Sequence, residues 1–190
     1  MNKKQKIIVA VSGASGSIYA KILLDKLKSA NSQIDKLAIV FSNNAKDIWS
    51  SEIDSFNDFI FNAPVFENNN FYAPFASGSN AYDTMIVCPC SMGCLGRIAN
   101  GISDDLISRA ADVALKEKKK LILVTRETPL SLIHIENMKK ITLAGGIILP
   151  ANPSFYSKPK SINDIVETVV DRILSHADII VNSYKWSDNI

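Results

Sequence analysis

Short apolar runs recur along the chain at Ile7–Val11, Leu37–Phe41, Met85–Cys88, Leu121–Val124 and Ile147–Leu149. Their length and their β-branched content predict buried strands. Between most of them the apolar positions spread out to helical spacing. Tyr19, Ile22, Leu23 and Leu27 form one stripe, and Leu106, Ile107, Ala110, Ala111, Ala114 and Leu115 form another. Ile133, Met138 and Ile141 mark a further helix that ends at Gly145–Gly146. "SIND" at 161–164 has the form of a capping box, Ser161 with Asp164, and opens the last helix. Strands that alternate with helices predict a single-domain α/β chain with a three-layer parallel sheet, Rossmann-like or flavodoxin-like.

In such sheets ligands bind beyond the carboxyl ends of the strands, where the strand order reverses. That rule directs attention to Ser12–Ser17, Ser42–Asn44, Ser91–Cys94 and Arg126–Pro129. The stretch 53–83, with "ENNN" and "SGS", reads as an irregular excursion or a lid.

Composition narrows the function classes. The 190 residues are 47% apolar and 21% charged, with a net charge of +2, so nucleic acid is not expected as a partner. The run "IIVAV" is too short for a signal peptide and no apolar run is long enough for a membrane span, which reads as a cytoplasmic protein. Cys88, Cys90 and Cys94 lie close together but lack a fourth ligand, so no metal is expected there. They read instead as small buried hydrophobes rather than as a disulfide framework.

"SGASGS" follows the first strand and opens a helix, the arrangement that presents backbone N–H groups and a positive helix end to an anion. It is not a dinucleotide fingerprint. Tyr19 stands where a third glycine is needed, and the second strand ends in Ser42 and asparagines rather than in an acid for the ribose. Hydroxyls at Ser12, Ser15, Ser17 and Ser42 suit a mononucleotide phosphate or the edge of a flavin. "RETPL" places Arg126, a paired donor for phosphate, beside Glu127, a carboxylate for proton transfer. Arg109 and Lys116 are two helical turns apart and share one helix face. "CPCSMG" ends a strand and begins a helix at Ser91. His134 and His176 both read as helix-surface residues, which argues against acid–base chemistry built on histidine.

The motifs "SGASGSIYA", "CPCSMG", "SRAADVALKE", "VTRETPL", "HIENM" and "PSFYSKPKSI" occur in this order, and with them the chain resembles the flavin prenyltransferases of the UbiX type. The resemblance implies a subunit that binds FMN without a metal. It implies transfer of a dimethylallyl group from dimethylallyl monophosphate to N5 and C6 of reduced FMN, making prenylated FMN for a UbiD-type decarboxylase. It implies a homo-oligomer, commonly a dodecamer, with sites at subunit junctions and the tail 178–190 packing on a neighbour. By motif, Gly13, Ala14 and Ser15 would line the flavin, and Ser42, Ser91, Met92, Gly93, Cys94 and Arg126 would hold it. Lys116, Tyr156 and Arg172 would clamp the donor phosphate with support from Arg109, and Trp186 would cover the prenyl group. Glu127 would move a proton, Ser15 would sit at the reactive edge, and Glu52 matches a second acidic position.

There are departures. Cys94 stands where the family often has Thr, which weakens a hydroxyl contact to the flavin, and the aromatic of the lid falls to Phe71 or Tyr72. Two other classes share the architecture: a non-catalytic FMN-binding subunit and a flavin-dependent cysteine-type decarboxylase. The second calls for an early histidine and a "PASANT"-like segment, and the chain has neither.

Overall fold

The computed structural model describes residues 3–57 and 63–184. Its strands are β1 (Gln5–Val11), β2 (Ile34–Phe41), β3 (Val65–Glu67), β4 (Thr84–Cys90), β5 (Lys120–Thr125) and β6 (Ile147–Ile148). The helices are α1 (Ser17–Ser29), α2 (Asn43–Glu52), α3 (Met92–Ala99), α4 (Leu106–Lys116), α5 (Leu132–Leu143) and α6 (Ile162–His176). The strands pair in parallel in the order β3-β2-β1-β4-β5-β6. The order therefore reverses between β1 and β4, and the crevice expected of such a sheet opens at their carboxyl ends.

Alternation along each strand feeds two cores. Ile7, Val9 and Val11 of β1 and Ile122 and Val124 of β5 face the layer of α1, α2 and α6. Ile8 and Ala10, with Leu121 and Leu123, face α3, α4 and α5. Both faces of the central strands are dry, which is why those strands read as continuous apolar runs. The predicted capping box is present at Ser161, and α5 closes at Gly145, which takes a left-handed φ of 93°.

Two elements carried no signal in the pattern. Helix α2 buries only Ala45 and Trp49, a single i, i+4 pair, and β3 is a three-residue edge strand. The described residues of segment 53–83 are otherwise turns and irregular backbone, with short 3-10 pieces at Pro74–Ala76 and Gly78–Asn80.

Helix α6 is fixed to α1 by Leu23, Leu27, Val170, Ile173 and Leu174 and by one half-buried cation. Lys26 Nζ lies 2.6 Å from Asp171 and 2.9 Å from Glu167. Burial alone would lower the lysine pKa, but hydrogen bonds and charge from Asp171 and Glu167 outweigh it and the pKa is raised. A raised lysine contributes stability that is complete below its ordinary value and is lost as pH rises through the folded one. We expect Lys26→Met to cost about 1–2 kcal/mol at neutral pH. The difference from the parent chain should shrink above pH 10.5, as urea unfolding at the two pH values would register.

Candidate functional site

Four strand ends meet at the switch point. Ser12, buried at the tip of β1, donates its hydroxyl to Pro89 O at 2.9 Å and accepts Ser91 N–H at 2.8 Å. Ser42 N–H donates to Val11 O at 3.0 Å, and Arg126 N–H donates to Cys90 O at 3.3 Å. These bonds bring the ends of β1, β2, β4 and β5 into one rim. Gly13 is required there by space, since a Cβ at this position would stand 2.8 Å from Cβ of Asn44. Gly16 is required by conformation, with φ of 112°, and its open side faces the Tyr19 ring and Arg126 Cγ.

The anion at the first turn belongs to the chain itself. Glu52, at the end of α2, accepts Gly16 N–H at 2.9 Å and Ser17 N–H at 2.8 Å, with further hydrogen bonds from the Ser15 and Ser17 hydroxyls. Its carboxylate caps α1, which has no side-chain cap of its own and no acid in its first turn. Burial would raise the Glu52 pKa, but these hydrogen bonds, from Ser15, Gly16 and Ser17, prevail and lower it.

The neighbouring helix ends are open. Helices α2 and α3 are capped by Ser42 and Ser91, whose side chains accept from Ala45 N–H and Cys94 N–H, and neither has an acid in its first turn. The remaining first-turn N–H groups are left for an external anion. A Cβ on Gly93 would meet nothing within 4 Å, so the approach to the end of α3 is clear. The sequence offers the "SGASGS" turn two uses, a mononucleotide phosphate or the edge of a flavin. Its Gly16 and Ser17 N–H groups are already taken by Glu52, and among α1, α2 and α3 the N-termini without a carboxylate are those of α2 and α3.

Other predicted site residues divide by location. Gly13, Ala14, Ser15, Ser42, Ser91, Gly93, Arg126 and Glu127 all belong to the strand-end turns of this rim, and Glu52 joins them from α2. Glu127 is exposed and accepts Thr128 N–H at 3.0 Å, and no ion pair with Arg126 is formed among the described residues. Met92 and Cys94 lie at the rim, but their side chains turn into the core with 8% and 2% exposure. The Cys94 thiol packs against Cys90, whose pKa is raised by that contact and by burial. Cys94 thus offers no side-chain group to a ligand, in place of the weakened contact expected from its sequence. Among the described residues no cluster of metal-ligating side chains occurs.

Lys116 is not at the rim, and Arg109, one turn into α4, is spent on the segment before β4. Helix α4 runs antiparallel to the strands, so Lys116 lies four residues before the start of β5, at the amino edge of the sheet. A strand of this length spans about 20 Å, which sets the scale of the separation. Both cations hold the segment before β4. Arg109 Nε donates to Ala76 O at 3.0 Å, and Lys116 stands beside Gly78.

Tyr156 and Arg172 line a separate cleft of about 1090 Å³ between the 152–160 loop, the outer face of α6 and residues 182–184. Arg172 lies 3.3 Å from His176 Nε2 there, and Trp186 lies outside the described residues. His134 is spent on the capping box of α5, its Nδ1 accepting Ser131 N–H. Phe71 and Tyr72 are exposed, on a turn whose Asn68 binds the start of α4 through Leu106 and Ile107 N–H.

The chain matches the model of the family described as Flavoprotein over residues 1–174. It is 47% identical over 182 residues to the flavin prenyltransferase UbiX of Methanocaldococcus jannaschii, covering 95% of this chain and 97% of that protein. The chain belongs to the UbiX flavin prenyltransferase family. Among solved family structures, a dodecameric FMN-dependent UbiX-like decarboxylase from Escherichia coli O157:H7 superposes with a TM-score of 0.90 at 36% identity, covering 96% of this chain and 99% of that one. AnUbiX, solved in complex with FMN and dimethylallyl pyrophosphate, gives 0.87 at 38% identity, covering 96% of this chain and 100% of that one. The family's α/β fold is the one expected from the sequence.

Glu52 supplies a test that needs no ligand. A carboxylate with a lowered pKa contributes stability above its ordinary value of 4.5, and the contribution is lost as pH falls through the folded value. Glu52→Gln should lose about 1 kcal/mol at neutral pH, the scale of a helix N-cap. Denaturation curves of the two chains should converge in acid, once the parent carboxylate is protonated.

Proposed function

We propose that this protein is a flavin prenyltransferase that joins a dimethylallyl group, delivered as dimethylallyl monophosphate, to N5 and C6 of reduced FMN. The observation that carries the reading is the 47% identity, across nearly the whole chain, to a curated enzyme of that activity. The rim fits a flavin mononucleotide as the acceptor substrate. Open N-termini at α2 and α3 suit one phosphate, while strand β2 ends in Ser42 and asparagines without the acid that an adenosine ribose calls for.

In this reading Ser42 and the first turn of α2 take the FMN phosphate, and the N–H groups of Met92 and Gly93 face the flavin. Gly13, Ala14 and Ser15 lie along its reactive edge, and Arg126 spans FMN and donor. Glu52 keeps the Ser15 hydroxyl and the first turn in place. The donor's C–O bond breaks, and its phosphate departs with the negative charge. Carbon bonds to N5 and C6 form and each releases a proton, the alkene takes one up, and one leaves with the phosphate. Glu127, exposed at the rim and unpaired with Arg126, is assigned the exchange of those protons. Cations at the phosphate stabilise its departure.

Lys116 lies at the opposite edge of the sheet, Arg109 is bonded to Ala76, and Tyr156 and Arg172 line a cleft on α6, so we assign all four to the rims of neighbouring copies. Of the tail 178–190, the first residues are held by their own chain, with Ile179 buried in the core and Ile180 bonded to Gln33; the part beyond them, with Trp186, is assigned to the same junctions. That arrangement makes the whole chain one flavoprotein unit of a larger homo-oligomer, as in the dodecameric relative. We place the protein in the cytoplasm, in keeping with the finding that no helix among the described residues is long and apolar enough to cross a membrane. Its product, prenylated FMN, serves a UbiD-type decarboxylase.

Anaerobic incubation with reduced FMN and dimethylallyl monophosphate should yield an extracted flavin heavier by one five-carbon unit. An unmodified flavin with both the monophosphate and the pyrophosphate would refute the reading. Glu127→Gln should still bind FMN, while single-turnover prenylation slows by about 100-fold, the scale of a lost acid–base group. Unchanged prenylation would remove Glu127 from the chemistry.

A further inference from the structure

The carboxylate of Glu117 meets Lys116 at the amino edge of the sheet. Lys116 Nζ lies 3.0 Å from Glu117 Oε1, and both side chains are partly exposed, at 48% and 39%. Both heads lie over Gly78. A Cβ there would stand 2.8 Å from Lys116 Nζ and closer still to Glu117 Oε1. Gly78 is outside the left-handed region, so its backbone does not demand glycine. The space taken by the two charged heads does.

Helix stability gives no reason for an acid at this position. Glu117 is the C-cap of α4, and a carboxylate at a helix C-terminus opposes the helix dipole, whereas Lys116 in the last turn favours it. Asp112, one turn back, already pairs with Arg109 at 3.3 Å. Among the described residues the partner of the Glu117 carboxylate in this cluster is the ammonium of Lys116.

We propose that Glu117 is a positioning residue for the donor phosphate. It holds Lys116 over Gly78 while the clamp is empty, and the phosphate must draw the ammonium away from it. Glu117 therefore sets how tightly the donor binds and leaves the bond-making steps alone. The inference rests on the assignment of Lys116 to the phosphate clamp.

The test compares Glu117→Gln, Lys116→Met and the double variant in the full-length assembly, with reduced FMN and dimethylallyl monophosphate. Glu117→Gln should lower KM for the donor about two- to five-fold at low ionic strength, the worth of an exposed ion pair, with kcat unchanged. The gain should vanish in about 1 M salt, where the screening length falls to roughly 3 Å. It should also vanish in the Lys116→Met background, because the two residues act as one unit. If Lys116→Met raises KM but Glu117→Gln leaves it unchanged or higher, the Glu117 proposal is overturned and the clamp stands. If Lys116→Met itself leaves KM unchanged, the clamp assignment fails and the proposal falls with it. A changed kcat for Glu117→Gln with an unmoved KM would likewise overturn it.

Discussion

The hydroxyl of Ser12 is the point on which the site is built. It sits between β1 and β4, the neighbouring strands at which the sheet changes direction, and spends both its donor and its acceptor on the backbone of β4. Beyond that bridge α1 and α3 leave toward opposite faces, and the turns before them part. A crevice at a switch point is a general property of such sheets. Here Ser12 fixes how far apart its walls stand, and the Ser42 and Arg126 amides hang the outer strands on the same frame.

Charge then decides which helix end of that frame is open. Three helices start at the rim with no acid in their own first turns. Glu52 removes one of them from competition by placing a carboxylate on α1 from the neighbouring helix α2. An incoming anion is left with α2 and α3. The same carboxylate orders the Ser15 and Ser17 hydroxyls, so one interaction both caps a helix and shapes a wall of the rim.

Much of this was legible in the sequence, for physical reasons. Buried parallel strands must be apolar on both faces, so β1, β2, β4 and β5 announce themselves. Helices α1 and α4 each carry a full apolar stripe. Helix α2 does not, because Ala45 and Trp49 alone contact the core, and β3 is too short for any alternation to show. The role of Glu52 was hidden because its partners lie 35 and 36 residues away and are backbone atoms. The burial of Cys94 was hidden too, since helix phase at a strand end is set by the turn. The position of Lys116 could have been read: a residue just before a parallel strand lies at the amino edge, opposite every strand-end motif. Family motifs grouped it with the rim, and the topology sets it apart from the rim within one chain.

That separation has a genetic consequence. If Lys116 serves the rim of a neighbouring copy, as proposed, each chain gives one half of a site and receives the other half. On that assignment a lesion in Glu127 would spoil the site the chain hosts, and a lesion in Lys116 would spoil a site it serves. Two dead alleles, one of each kind, expressed together would assemble some junctions in which both contributing halves are intact. Such alleles would complement each other within a single gene, whereas two alleles damaged in the same half would not.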